Sequence, residues 1–151
     1  MISSPLELGN QICFPIYSVS RLITKTYTPY LNKIGLTYPQ YLVMMVLWEN
    51  DKLCINQITE KLLLDTNTLS PLLKRMEKME LIDRKRSSKD ERSVIVELTT
   101  KGNELKKQAE PIPEKLLETV LNKTISIENI NLLKNILNDW VTVLSDNKTE
   151  K

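Results

Sequence analysis

The chemistry open to this chain starts from two thiols, Cys13 and Cys54, and five phenols, because its 151 residues include no histidine. A thiolate reacts with peroxides far faster than a thiol, and phenol donors favour the charged form, drawing the pKa below the free value of about 8.5. Tyr17 follows Cys13 by one helical turn, Tyr27 by fourteen residues, and Tyr38 lies beyond. On a helix, fourteen residues span about 21 Å at roughly 1.5 Å per residue, so Tyr27 cannot reach its own Cys13. It meets that thiol only from a second chain packed antiparallel, whereas Tyr17 can approach within the same chain. A free cysteine equally packs as a small apolar residue. Residue types alone leave both readings open.

Composition closes other routes. Without histidine there is no imidazole triad, histidine metal site or histidine-ligated haem. The three glycines, Gly9, Gly35 and Gly102, are too dispersed for a phosphate-cradling loop. Two cysteines cannot make a four-thiolate zinc site or a secreted disulfide framework. No metal and no cofactor are expected, and the expected compartment is the reducing cytoplasm. Residues 1–9 carry Glu7 and no basic residue, unlike a signal peptide, and the longest apolar run, Tyr41 to Trp48, is eight residues. That is far below the roughly 18 to 20 a bilayer requires, so no membrane partner is expected. The net charge is only +2. Its distribution says more: from Lys74 to Arg92 eight basic residues face five acidic ones, while from Asn103 to Lys151 seven face eight. The middle of the chain is the candidate polyanion contact.

The elements follow from periodicity. Ile12, Ile16, Val19, Ile23, Tyr27 and Tyr30 step by three and four, predicting an amphipathic helix that Gly35 stops. Thr37, Pro39 and Gln40 predict a capping-box start to a second helix whose body, Tyr41 to Trp48, is apolar nearly all round. A short helix over Ile55 to Leu62 and another from after Asp65 to about Met79 have helix-turn-helix spacing. In the second of these, Pro71 favours a start at Thr68, where the proline falls in the first turn. Beyond Leu81 the period becomes two, predicting a two-stranded hairpin of Ile82 to Arg86 with Val94 to Leu98. Thr99 or Thr100 caps a helix to about Glu110, which Pro111 and Pro113 bend or break. A last helix from near Ser126 carries Ile130, Leu133, Leu137, Trp140 and Leu144 as a narrow apolar seam that calls for another helix. The fold class expected is mainly α with a small β-hairpin wing, a winged helix-turn-helix in an intertwined homodimer. A single domain over 1–151 would dimerise through about 8–34 and 100–146 and carry the winged helix-turn-helix over about 38–99.

In the helix after Asp65, Leu69, Leu72, Leu73, Met76 and Met79 form a buried stripe, leaving Asn67, Ser70, Pro71, Lys74 and Lys78 opposite. That face suits a major groove, with Thr68 and Ser70 donating to phosphates or base edges and Lys74 neutralising backbone charge. Arg75, Arg84, Arg86 and Lys89 extend the basic surface. At the hairpin tip, Arg92 can enter a narrow minor groove, with Asp90 holding it in place. Either feature alone would also serve as a solvated surface; their order within about 45 continuous residues points to double-stranded DNA.

The run Leu64-Asp65-Thr66-Asn67-Thr68-Leu69-Ser70-Pro71-Leu72-Leu73-Lys74-Arg75-Met76-Glu77, then Arg84-Lys85-Arg86-Ser87 and Asp90-Glu91-Arg92 through Leu98-Thr99, resembles the MarR family of bacterial transcription regulators. The resemblance implies a homodimer with intertwined terminal helices, reading a pseudo-palindromic site. Gln11-Ile12-Cys13-Phe14, Tyr17, Tyr27 and Leu36-Thr37-Tyr38-Pro39-Gln40-Tyr41 add a narrower similarity, from about Gln11 to Leu117, to the organic hydroperoxide regulators of that family. It implies that Cys13 senses an organic hydroperoxide, with Tyr27 and Tyr38 as hydrogen-bond partners, and that oxidation releases the operator of a repressor. Residues 103–151 hold no resolving cysteine. A low-molecular-weight thiol is therefore the expected cap, and Cys54 a packing residue. Three other readings share the residues: a MarR-type regulator of a phenolic or apolar ligand, a global virulence or antibiotic-response regulator, and a protein-binding adaptor. The chain has no arginine or threonine in an obvious loop beside Cys13 to polarise a peroxide, as a thiol peroxidase would need, so no enzyme is expected.

Overall fold

The computed structural model describes residues 4–87, 93–121 and 125–146. After a short 3-10 turn at Leu8–Asn10 come α1 (Cys13–Lys33), α2 (Tyr38–Glu49), β1 (Leu53–Cys54), α3 (Ile55–Leu62), α4 (Thr66–Lys78), β2 (Ile82–Arg86), β3 (Val94–Leu98), α5 (Thr100–Ala109), α6 (Ile112–Val120) and α7 (Ile127–Asp146). The chain divides into two compact units, Met1–Ile112 and Pro113–Lys151. None of the described helices is long and apolar enough to cross a membrane.

In the first unit, α2 is the central post. Val43, Met44 and Leu47 are fully buried with Ile58 of α3, Leu69, Leu73 and Met76 of α4, Ile82 of β2 and Val96 of β3. Each such side chain contributes roughly 1.5–3 kcal/mol on burial, which holds the helix-turn-helix against α2 and the sheet. The start of α2 is fixed as its sequence requires: the Gln40 side-chain oxygen accepts from the Thr37 amide at 2.8 Å. Gly35 ends the α1 turn with φ +70, a conformation L side chains rarely adopt.

Three details differ from the sequence-based expectations. The wing is a three-stranded antiparallel sheet of order β1-β3-β2, because Leu53 and Cys54 pair with Val96 and Ile95. Two residues are too few to show a period. Second, α4 begins at Thr66 with Asp65 as its N-cap, not at Thr68, since the amides of Thr68 and Leu69 both donate to the Asp65 carbonyl at 3.0 Å. Pro71 therefore lies inside the helix and denies the Asn67 carbonyl its usual i+4 donor. Both residues are exposed, so water can take that bond. Third, the break at Pro111 is followed by a further helix, α6, with Pro113 in its first turn, where no intrahelical donor is missed.

In the second unit, α7 starts where expected. Ser126 and Asn129 cap each other, the Asn129 amide donating to Ser126 Oγ at 3.3 Å and the Ser126 amide to Asn129 Oδ1 at 3.1 Å. No residue of α7 is buried, and Leu132, Leu133, Trp140, Val143 and Leu144 are exposed.

Candidate functional site

Cys13 is the first residue of α1 and is exposed, as are Ile12, Phe14, Ile16 and Tyr17 beside it. From there α1 runs unbroken to Lys33, so Cys13 and Tyr27 sit on one continuous helix about 21 Å apart along its axis. The structure gathers the phenols at the far end. Tyr27 and Tyr38 have ring centroids 5.1 Å apart, and Tyr27 also meets Tyr41 at 5.8 Å. Tyr38 and Tyr41 stand three residues apart on α2, one helical face, which aims both at α1. Tyr17 is apart from this group, exposed, with the Arg21 guanidinium 5.3 Å from its ring centre.

Burial, then the neighbouring phenols of Tyr38 and Tyr41, pushes Tyr27 up to about 12. Burial likewise raises Tyr38 and Tyr41 above the ordinary phenol value. All three are therefore neutral O–H donors at physiological pH, the form that can hydrogen-bond an anionic sulfur. Tyr41 was legible only as a core residue; its place in the phenol cluster comes from the packing of α1 on α2. Beside the cluster an open groove of about 620 Å³ includes Arg21, Thr24, Lys25, Thr28 and Tyr38 in its lining.

Cys54 is half-buried where β1 meets α3, its amide donating to the Gln57 side chain at 2.9 Å. The described residues contain no cluster of three or more metal-ligating side chains.

The second surface is built on α4. Asn67, Thr68, Pro71, Lys74, Arg75 and Lys78 are exposed and Ser70 is half-buried, while Leu69, Leu72, Leu73 and Met76 face the core. Among the described residues no carboxylate pairs with Lys74, Arg75, Lys78 or Arg86. Arg84 differs: its Nε and Nη2 donate to Glu77 Oε2 at 3.0 and 2.6 Å. Lys85 is engaged by Glu97. The Ser87 amide donates to the Ser93 carbonyl at 2.8 Å, closing the base of the wing. Lys89, Asp90 and Arg92, with the expected Asp90–Arg92 pairing, lie outside the described residues.

A profile described as "Transcriptional regulator SarA/Rot" matches residues 25–109. The organic hydroperoxide resistance transcriptional regulator of Bacillus subtilis strain 168 is 50% identical over 112 residues, covering 74% of this chain and 76% of that protein. The structure of reduced AbfR bound to DNA, a protein of Staphylococcus epidermidis, superposes with a TM-score of 0.76 at 34% identity, over 97% of this chain and 98% of that one. The disulfide-formed state of AbfR gives 0.63 at the same identity, over 91% and 92%. At the level of fold alone, a cysteine-to-serine mutant of Escherichia coli MarR complexed with operator DNA matches with a TM-score of 0.75 and 21% identity, over 82% and 89%. With its winged helix-turn-helix, its basic α4 face and these relatives, the chain belongs to the SarA/Rot family of MarR-like winged-helix regulators and is a DNA-binding transcriptional regulator.

Proposed function

We propose that the chain is a homodimeric repressor that holds a pseudo-palindromic duplex while Cys13 is reduced and lets go when an organic hydroperoxide oxidises it. The observation that carries this reading is the continuous α1, with the thiol exposed at one end and the phenol cluster packed at the other. A thiolate–phenol hydrogen bond between Cys13 and Tyr27 or Tyr38 then takes two chains, and the sensor and the dimer become one device. The 50% identical hydroperoxide resistance regulator supports the oxidant, and AbfR, described in reduced and disulfide-formed states, supports sulfur as the reporter. The single MarR-type domain would dimerise through 8–34 and 100–146, and its site of action is the cytoplasm.

The chemistry balances without a cofactor. Cys13 sulfur attacks the peroxide, an S–O bond forms as the O–O bond breaks, and the alkoxide leaves as alcohol after taking a proton. Sulfur loses two electrons and the peroxide gains them. A low-molecular-weight thiol then condenses with the sulfenic acid, forming an S–S bond and releasing water. Cys54 is half-buried in the winged helix, which favours the small thiol over an internal disulfide. Replacing the thiolate by a bulkier neutral group at the subunit interface shifts the separation of the two α4 helices, and mis-spaced half-sites lose paired contacts. One oxidation serves one regulatory event, with no turnover.

Gel shift with the chain's upstream DNA tests this. Cumene hydroperoxide should release the wild type and leave Cys13→Ser bound, and a thiol reductant should restore the wild type. Equal release of both would overturn the reading, as would a Cys13–Cys54 disulfide as the main product by mass spectrometry. The groove beside Tyr38 favours a second reading, a phenolic ligand as the signal. In that case Cys13→Ser would still be released by the ligand and the peroxide effect would be absent from both proteins.

A further inference from the structure

We propose that Arg84, one of the basic residues on the DNA-binding side, is a positioning residue and not a DNA ligand. Held by Glu77, it fixes the angle at which the β2–β3 wing leaves α4. The inference rests on the DNA-binding assignment alone and is independent of Cys13 chemistry.

Strand parity decides where Arg84 points. It pairs across the sheet with Val96, which is fully buried, and lies two residues from Ile82, also fully buried. Cross-strand partners and i, i+2 neighbours share a face, so Arg84 is on the face turned inward to α4. Asp83 and Lys85 take the opposite face, where Lys85 is engaged by Glu97. On the inner face Glu77, in the last turn of α4, accepts from two nitrogens of the guanidinium with one carboxylate oxygen. The two side chains are only 22% and 36% exposed.

For Arg84 to neutralise a phosphate it would have to abandon Glu77 and leave a carboxylate facing the duplex. Lys74, Arg75, Lys78 and Arg86 need break no described ion pair to displace condensed counterions. The turn between α4 and β2 is anchored as well. Glu80 has φ +60, Thr99 Oγ1 donates to its carbonyl at 2.6 Å, and Lys101 Nζ donates to the Met79 carbonyl at 2.8 Å. The wing is a lever projecting from this fixed base. Five strand residues span about 17 Å at roughly 3.3 Å each, so a tilt of about 10° displaces the far end by about 3 Å, a whole hydrogen-bond length.

The test uses the full-length reduced protein and a duplex recovered by the wild type from a random-sequence pool. Glu77→Gln and Arg84→Met should each weaken binding about tenfold, and the double variant should be no worse than either, the mark of one shared interaction. Hydroxyl-radical footprints of both single variants should lose protection at the outer minor-groove positions and keep the central pattern. If Arg84 instead binds phosphate, Glu77→Gln frees it and removes a negative charge near DNA. Binding would then tighten while Arg84→Met still weakens, and the proposal falls. Should Arg84→Met fail to fold, the sign of the Glu77→Gln change alone decides. A wild type that selects no duplex would refute the DNA-binding assignment instead.

Discussion

At the scale of single residues, the phenol cluster sets a measurable pH response. Tyr27 ionises near 10 in an unfolded chain and near 12 when folded, because burial and two neighbouring phenols oppose its anion. Between those values the folded state binds more protons than the unfolded state, so stability present below pH 10 is lost as pH rises through 12. Tyr38 and Tyr41, raised in the same sense, add to the loss. Urea unfolding midpoints measured from pH 9 to 11.5 should fall above pH 10, and Tyr27→Phe should flatten that fall. The same substitution should slow oxidation of Cys13 by cumene hydroperoxide about tenfold if its hydroxyl stabilises the thiolate, since one pKa unit is about 1.4 kcal/mol. Stopped-flow thiol titration checks this. A variant oxidised at the wild-type rate would place Tyr27 in packing alone.

At the scale of elements, two positions show what holds the winged helix together. A Cβ on Gly102 would lie 2.1 Å from the Leu81 carbonyl oxygen, backbone that cannot step aside, while the Gly102 carbonyl accepts from Trp48 Nε1 at 3.0 Å. Gly102→Ala should therefore lose about 1–3 kcal/mol by chemical denaturation, the range of overpacking. Pro71→Ala should act oppositely, restoring a donor to the Asn67 carbonyl and raising the melting temperature. If Pro71 shapes the DNA-facing surface of α4, duplex affinity should drop in the same protein. Sequence made most elements legible because long runs such as Ile12 to Tyr30 and Leu69 to Met76 repeat their period several times. It could not show β1, whose Leu53 and Cys54 are strand only because β3 offers them partners. Nor did it separate Arg84 from Arg86, which share a strand face: a run of basic residues looks uniform until the carboxylate of Glu77 is found against one of them. The phenol pair was legible through its family motif, whereas Tyr41 joined it only through the packing of two helices.

At the scale of the whole molecule, exposed apolar side chains set the argument. Val19 and Leu22 on α1, and Leu133, Trp140 and Leu144 on α7, are each more than 40% exposed. Scattered apolar residues on a surface are ordinary, but runs at helical spacing mark contact faces. Sedimentation should find a dimer, and Leu133→Glu should yield monomers that no longer retain the duplex, because a lone winged helix reads half a site. A monomeric wild type would remove the basis for sensing across subunits. The ring of Tyr41 lies between Tyr27 and Trp48, 5.8 and 6.3 Å from each. Any loosening of the phenols thus alters the surroundings of an indole whose nitrogen is tied to α5. With Trp140 replaced by phenylalanine, the emission colour of Trp48 becomes an internal optical gauge, letting release be followed in real time without attaching a dye.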